Sequence, residues 1–351
     1  MTNKTQPGNY FEDFTVGQQI THATPRTATE GDLALYTALY GSRFALTSAA
    51  TFAESMGMAA MPVDPLLVFH LVFGKSVPDI SLNAVANLGY AGGRFGVPVF
   101  PGDTLSASSK VIGLKQNSNG KTGVVYVNTV GVNQRGEAVI DYVRWVMVHK
   151  KDASAPAPET VVPELPGAVD VADLQVPFDL TGRSYDTTLA GSAYLWDDYE
   201  VGEKIDHIDG MTIEEAEHMI ATRLYQNTAK VHFNQHTQAH SRNGRRLIYG
   251  GNIISLARAL SFNGLANAQY VAAINGGSHT NPTFAGDTVY AWSEILDRAE
   301  LPGRSDVGAL RVRTVATKDQ DCSAYPYKGD DGKYDASVVL DFDYTVLIPR
   351  R

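Results

Sequence analysis

An imidazole behind a polar stretch, and a pair of glycines heading an apolar run, are the groups of this chain best suited to chemistry. His232 ends the segment Tyr225-Gln226-Asn227-Thr228-Ala229-Lys230-Val231-His232. An imidazole titrates near neutral pH, so it can take up and return protons; a single histidine also reads as a buried structural residue. Further on, Tyr249-Gly250-Gly251-Asn252 leads directly into the apolar run Ile253 to Leu260. A helix starting there offers N–H groups without intrahelical acceptors and a dipole that favours negative charge. Glycine would let a ligand come close, although an ordinary turn would also use it. Two arginines suit a carboxylate because the guanidinium fork matches two oxygens: Arg43, and Arg94 in the loop Gly92-Gly93-Arg94-Phe95. Each would serve equally well in a structural salt bridge. His279, in the equivalent loop further on, is a weaker candidate, and His70 in its apolar run reads as core. The cluster Arg242, Arg245 and Arg246 is either a positive patch for an anionic ligand or a solvated loop.

Other chemistries find little support. The chain has no G-x-S-x-G, no H-E-x-x-H and no Walker loop. Cys322 is the only cysteine, which excludes an intramolecular disulfide and a cysteine-based metal site. No metal or redox cofactor is expected. The net charge of −9 argues against a nucleic-acid partner. The lack of a long apolar run argues against a membrane span, and the polar stretch Met1 to Tyr10 against a secretory leader.

The elements that must position these groups occur twice. At an offset of 185 residues, Phe11, Asp13, Phe14, Val16, Gly17, Ile20 and His22 face Trp196, Asp198, Tyr199, Val201, Gly202, Ile205 and His207. With a one-residue change of offset, Pro98, Phe100, Gly102, Asp103 and Thr104 match Pro282, Phe284, Gly286, Asp287 and Thr288. The chain therefore divides into a unit over residues 1–150, a proline-rich linker over 151–190 that should run extended, and a second unit over 191–351. In each unit a capping box, Thr27-x-x-Glu30 or Thr212-x-x-Glu215, predicts the start of a helix. A second apolar helix is expected at Pro65 to Phe73 and at Gly251 to Phe262. Three strand-like runs follow in each unit, with a hairpin turn at Asn119-Gly120. Helices followed by sequential antiparallel strands indicate an α+β unit.

The segment ending at His232 resembles the G-D-x-N-P-x-H motif of the MaoC-like dehydratases (hydratase-2 family). Phe100 to Thr104 and Phe284 to Thr288 match the Phe-x-Gly-Asp-Thr typical of that family. Tyr40 to Thr47, Gly89 to Phe95 and Gln226 to Ala229 are similar to its mesaconyl-CoA hydratase branch. The resemblance covers nearly the whole chain outside the linker. It implies a double hot dog, two tandem units each with an antiparallel sheet wrapped around a long helix. It further implies reversible hydration of mesaconyl-CoA (2-methylfumaryl-CoA) to β-methylmalyl-CoA in the cytoplasm, within the ethylmalonyl-CoA pathway or the 3-hydroxypropionate cycle. The partner is then a small-molecule CoA thioester, with CoA entering as part of the substrate, and a homodimer is expected.

The motif transfers unevenly. Its histidine falls on His232 but on Thr47 in the first unit; its aspartate falls on Asn227 and on Ser42. The first unit then shapes the acyl pocket, and the second moves protons. In this reading His232 is general base and acid, Asn227 positions the water, and backbone N–H groups around Gly250, Gly251 and Asn252 stabilise the enolate oxygen. An aspartate at 227 would face the substrate's own carboxylate. At about 5 Å and an effective dielectric of roughly 20 that repulsion is about 3 kcal/mol, which asparagine avoids. The alternatives are an acyl-CoA thioesterase, which would release free thiol, and a non-catalytic CoA-ester-binding protein.

Overall fold

The computed structural model describes residues 4–351; Met1 to Asn3 of the stretch read for a leader lie outside the described residues. The first unit contributes β1 (Gln19–Thr27), α1 (Glu30–Tyr40), α2 (Pro65–Ser76), β2 (Ala84–Phe95), β3 (Thr104–Gln116), β4 (Thr122–Val132) and β5 (Ala138–His149). The second contributes β6 (Lys204–Thr212), α3 (Glu215–Leu224), α4 (Gly250–Leu260), β7 (Tyr270–His279), β8 (Thr288–Glu300), β9 (Val307–Lys318) and β10 (Val338–Pro349). All strands join one antiparallel sheet in the order β1-β3-β4-β5-β2-β7-β10-β9-β8-β6. Read from either edge inward, the order is the same, so the fold is the double hot dog that the resemblance implies.

Strands β2 and β7 form the seam between the units, pairing Tyr90 with Gly277, Ala91 with Gly276 and Gly93 with Ile274. This corrects the reading of Gly92-Gly93-Arg94 and of the segment around His279 as loops. The glycines serve close packing: a Cβ on Gly277 would stand 2.9 Å from Tyr90, and one on Gly93 3.0 Å from Ile274.

Helix α2 is buried along its whole length, so an apolar run on all faces is what it needs. Asp64 caps it, accepting from the Leu66 N–H at 2.8 Å, and Pro65 fills its first position. The proposed capping boxes at Thr27 and Thr212 are not formed. Both residues end strands, where their hydroxyls meet Thr104 and Thr288 at 2.8 Å. Helix α1 starts later, with a box made by Thr29 and Asp32. Each Phe-x-Gly-Asp-Thr segment is a turn that fastens the entry to the first helix. Asp103 accepts from the Phe100 N–H at 2.9 Å while its own carbonyl receives the Ala28 N–H at 2.9 Å. Asp287 repeats this with Phe284 at 2.9 Å and Ile213 at 3.0 Å.

Residues related by the duplication also meet inside the core. The hydroxyls of Tyr40 and Tyr225 are 2.6 Å apart, and His70 Nε2 lies 3.0 Å from Ser255 Oγ. Between β5 and β6 the chain holds short turns and one bridge, Leu114 to Val161, and buries Phe178 and Leu180 against Phe52, Met56 and Tyr270. No helix among the described residues is long and apolar enough to cross a membrane.

Candidate active site

A cavity of about 810 Å³ opens between the units. Phe73, Val77, Tyr90 and Arg144 of the first unit line it, facing Asn227, His232, Tyr249, Gly250 and His279 of the second.

His232 lies in a short helix, Lys230–Phe233, just beyond α3. Its Nδ1 is 3.0 Å from the Leu247 carbonyl oxygen. A carbonyl only accepts, so Nδ1 carries the proton and Nε2 is left as the basic nitrogen. Burial pulls the imidazole from its ordinary 6.5 down to about 4, against the opposing hydrogen bond to Leu247. His232 is therefore neutral near pH 7 and fit to accept a proton, and its conjugate acid is strong. Asn227 is 5% exposed, and its Oδ1 accepts the Ala229 N–H at 3.0 Å. That bond directs the amide so that Nδ2 remains as a donor.

Helix α4 begins at Tyr249 without a side-chain cap, whereas the corresponding tip of α2 is closed by Asp64. An uncapped helix start leaves N–H donors available to a ligand. Gly250 lines the cavity; Gly251 and Asn252 are buried behind it, and the Asn252 N–H, expected as a donor to the enolate, is taken by the Tyr249 carbonyl at 2.8 Å. Both glycines accommodate rings. A Cβ on Gly250 would stand 2.4 Å from His279, and one on Gly251 2.3 Å from Tyr249 and 2.6 Å from His70.

The expected carboxylate partners are not here. Arg43 is exposed and stacks on Phe262 at 4.4 Å, and Arg94 pairs with Asp141 at 3.4 Å and Asp173 at 3.6 Å. Neither lines the cavity. His279 does line it, 3.3 Å from the Tyr90 hydroxyl, but burial, helped by nearby His232, pulls its pKa to about 4. It is no cation near neutral pH. Nor does the arginine cluster line the cavity: Arg246 is tied to Glu215, and Arg245 to the Ala285 carbonyl.

The cations that do line it are Lys150, Lys151, Lys230 and Arg144, all missed in the sequence. One signal was available for Arg144. It occupies the inward phase of β5, whose other inward residues are Ile140, Tyr142, Val146 and Val148. A charge in the apolar phase of an alternating strand is out of pattern. Among the described residues, no group of three or more His, Cys, Asp or Glu side chains is arranged to hold a metal ion.

Proteins of similar sequence and shape identify the family. The mesaconyl-CoA hydratase family profile matches residues 1–331. A β-methylmalyl-CoA dehydratase of Chloroflexus aurantiacus is 70% identical over 100% of both chains. A mesaconyl-CoA hydratase of Cereibacter sphaeroides is 61% identical, covering 99% of this chain and 100% of its own. A solved MaoC domain protein dehydratase from Chloroflexus aurantiacus superposes with a TM-score of 0.98, at 70% identity over 100% of each chain. A Mycobacterium tuberculosis protein described as a double hotdog fold gives a TM-score of 0.74 at 25% identity, over 98% of this chain and 99% of that one. With an unbonded imidazole nitrogen, an open helix tip and two fused hot dog units around one cavity, the chain belongs to the mesaconyl-CoA hydratase family of MaoC-like hydro-lyases.

Proposed function

We propose that this chain reversibly adds water across the double bond of mesaconyl-CoA to give β-methylmalyl-CoA. Water, held by the Asn227 Nδ2 donor, attacks the β-carbon beside the substrate's carboxylate, and His232 Nε2 takes its proton. Electrons move onto the thioester oxygen, where N–H groups at the α4 tip stabilise the enolate. The imidazolium then returns the proton to the α-carbon, and the thioester carbonyl re-forms. Every atom of water ends in the product, and no redox partner or metal enters the scheme. Lys151 and Lys230, exposed on the cavity lining, suit the phosphates of the CoA portion. Localisation in the cytoplasm and association as a homodimer belong to the same reading.

The observation that carries this reading is the tautomer of His232, set by Leu247 so that the basic nitrogen is left free. Mixing purified protein with mesaconyl-CoA should consume the enoyl-thioester absorbance without releasing thiol. His232→Ala should lower the rate by roughly 10²–10⁴-fold. Thiol release would mark a thioesterase instead, and full activity in His232→Ala would remove the assigned base.

A further inference from the structure

We propose that Arg144 is the residue that receives the free carboxylate of the acyl chain, and so sets the preference for a carboxylated enoyl-CoA. This rests on the function proposed above and adds to it the group that reads the substrate's far end.

Arg144 is 0% exposed and lines the cavity. Its guanidinium donates to two neutral hydroxyls, Ser76 at 2.8 Å and Ser81 at 3.3 Å. Its Nε has no partner, and among the described residues no carboxylate lies within 4.0 Å. A guanidinium cannot shed its proton in a protein, and a buried charge without a counter-ion is strongly unfavourable. The Phe73 ring, 4.3 Å from Cζ, offsets only part of this. On the same cavity lining, neither polar atom of the Asn87 side chain has a partner, and the Tyr249 hydroxyl has none either. The fold has thus assembled an anion site and left the anion to be supplied.

A second buried guanidinium, Arg258 of α4, is held differently: it bonds the Ala268 carbonyl and Ser261, stacks on Phe44 at 3.4 Å, and lies near enough to Asp64 for their charges to interact, without a direct ion pair. Asp64 caps α2 at the position that Tyr249 occupies before α4. At the tip of α2 the chain thus supplies a carboxylate that caps the helix and lies in the field of Arg258, whereas at the tip of α4, where Tyr249 stands, no side chain caps the helix.

One continuous aromatic wall joins the proposed base to this guanidinium. From His232 the wall runs to Tyr249 (ring centroids 5.5 Å apart), to Phe73 (5.6 Å) and then to Arg144. A trans four-carbon acyl chain carries its carboxylate at the end opposite the thioester, beyond the carbon that accepts water. A site built to pair such a group rejects analogues that lack it.

The test compares kcat/KM for mesaconyl-CoA and crotonyl-CoA in the unaltered chain, Arg144→Gln and Arg144→Lys. The preference for mesaconyl-CoA should fall by roughly 10²-fold or more in Arg144→Gln and partly recover in Arg144→Lys. Should the variants fail to fold, the unaltered chain still decides, because the methyl ester of mesaconyl-CoA should lose a comparable factor. An unchanged preference in Arg144→Gln, or equal turnover of ester and acid by the unaltered chain, overturns the assignment while leaving the proposed function standing. Failure of the unaltered chain to hydrate mesaconyl-CoA overturns both.

Discussion

Asn227 is the residue at which this site departs from a carboxylate–imidazole pair, and its geometry suggests why that is workable. Its Oδ1 is engaged with the Ala229 N–H, so only the amide nitrogen remains for water, and it donates. An aspartate would keep the bond to Ala229 and replace that donor with a charged acceptor facing the substrate's carboxylate. The repulsion of about 3 kcal/mol corresponds to roughly a 10²-fold loss. Asn227→Asp should therefore lower kcat/KM for mesaconyl-CoA by about that factor and for crotonyl-CoA much less; equal losses would remove the electrostatic argument. That Asn227 and His232 share one cavity was legible because they sit close together on one local segment. Arg144 was not. Its meaning depends on which side of β5 faces the cavity and on the lack of a carboxylate from distant parts of the chain, and neither is local.

Element geometry decides what the two glycines of the α4 tip do. Gly250 meets His279 at the cavity, whereas Gly251 meets His70, which is fully buried in α2. The same substitution should act differently at the two positions. Gly251→Ala forces a methyl into packed core and should cost about 1–3 kcal/mol of stability, read by chemical denaturation. Gly250→Ala should shift a half-buried ring beside the thioester and lower kcat about tenfold or more, a loss of about 1.4 kcal/mol in transition-state stabilisation, with little change in the denaturation midpoint. Similar stability losses in both would contradict this division. Strands with alternating or continuously apolar runs, β3, β4, β5 and β8 to β10, were legible in the sequence. β2 and β7 were missed because their glycines, required by the seam, erase the alternation on which strand reading relies. The helix starts were misplaced because Thr27 and Thr212 look like caps but serve as the last rungs of β1 and β6.

At the scale of the whole molecule, duplication places histidines in the interior of both halves, and this makes stability depend on pH. Burial depresses His70 to about 3 and His207, His232 and His279 to about 4; it also lowers His22 and His218. Several of these rings hold polar networks together. His22 bonds Ser109, which reaches Thr129, and His207 bonds Ser293, which reaches Thr314, at 2.7 and 2.8 Å in each case. With folded values below the unfolded 6.5, the unfolded chain binds more protons as the pH falls. Stability is then complete above about pH 6.5 and is lost as acid is added, until the folded values near 3 to 4 are reached. Each strongly shifted ring contributes up to about 1.4 kcal/mol per pH unit within that window. Carboxylates with lowered pKa values, such as Asp306, titrate mainly below it, while Asp64, raised by burial, acts in the opposite sense, so between pH 6.5 and 5 the histidines dominate by number. Thermal unfolding at constant ionic strength should show a steep fall in Tm across that interval. A Tm flat from pH 7 to 5 would mean that the rings titrate alike in the folded and unfolded chain, and it would remove the burial effect from which this pH dependence is argued.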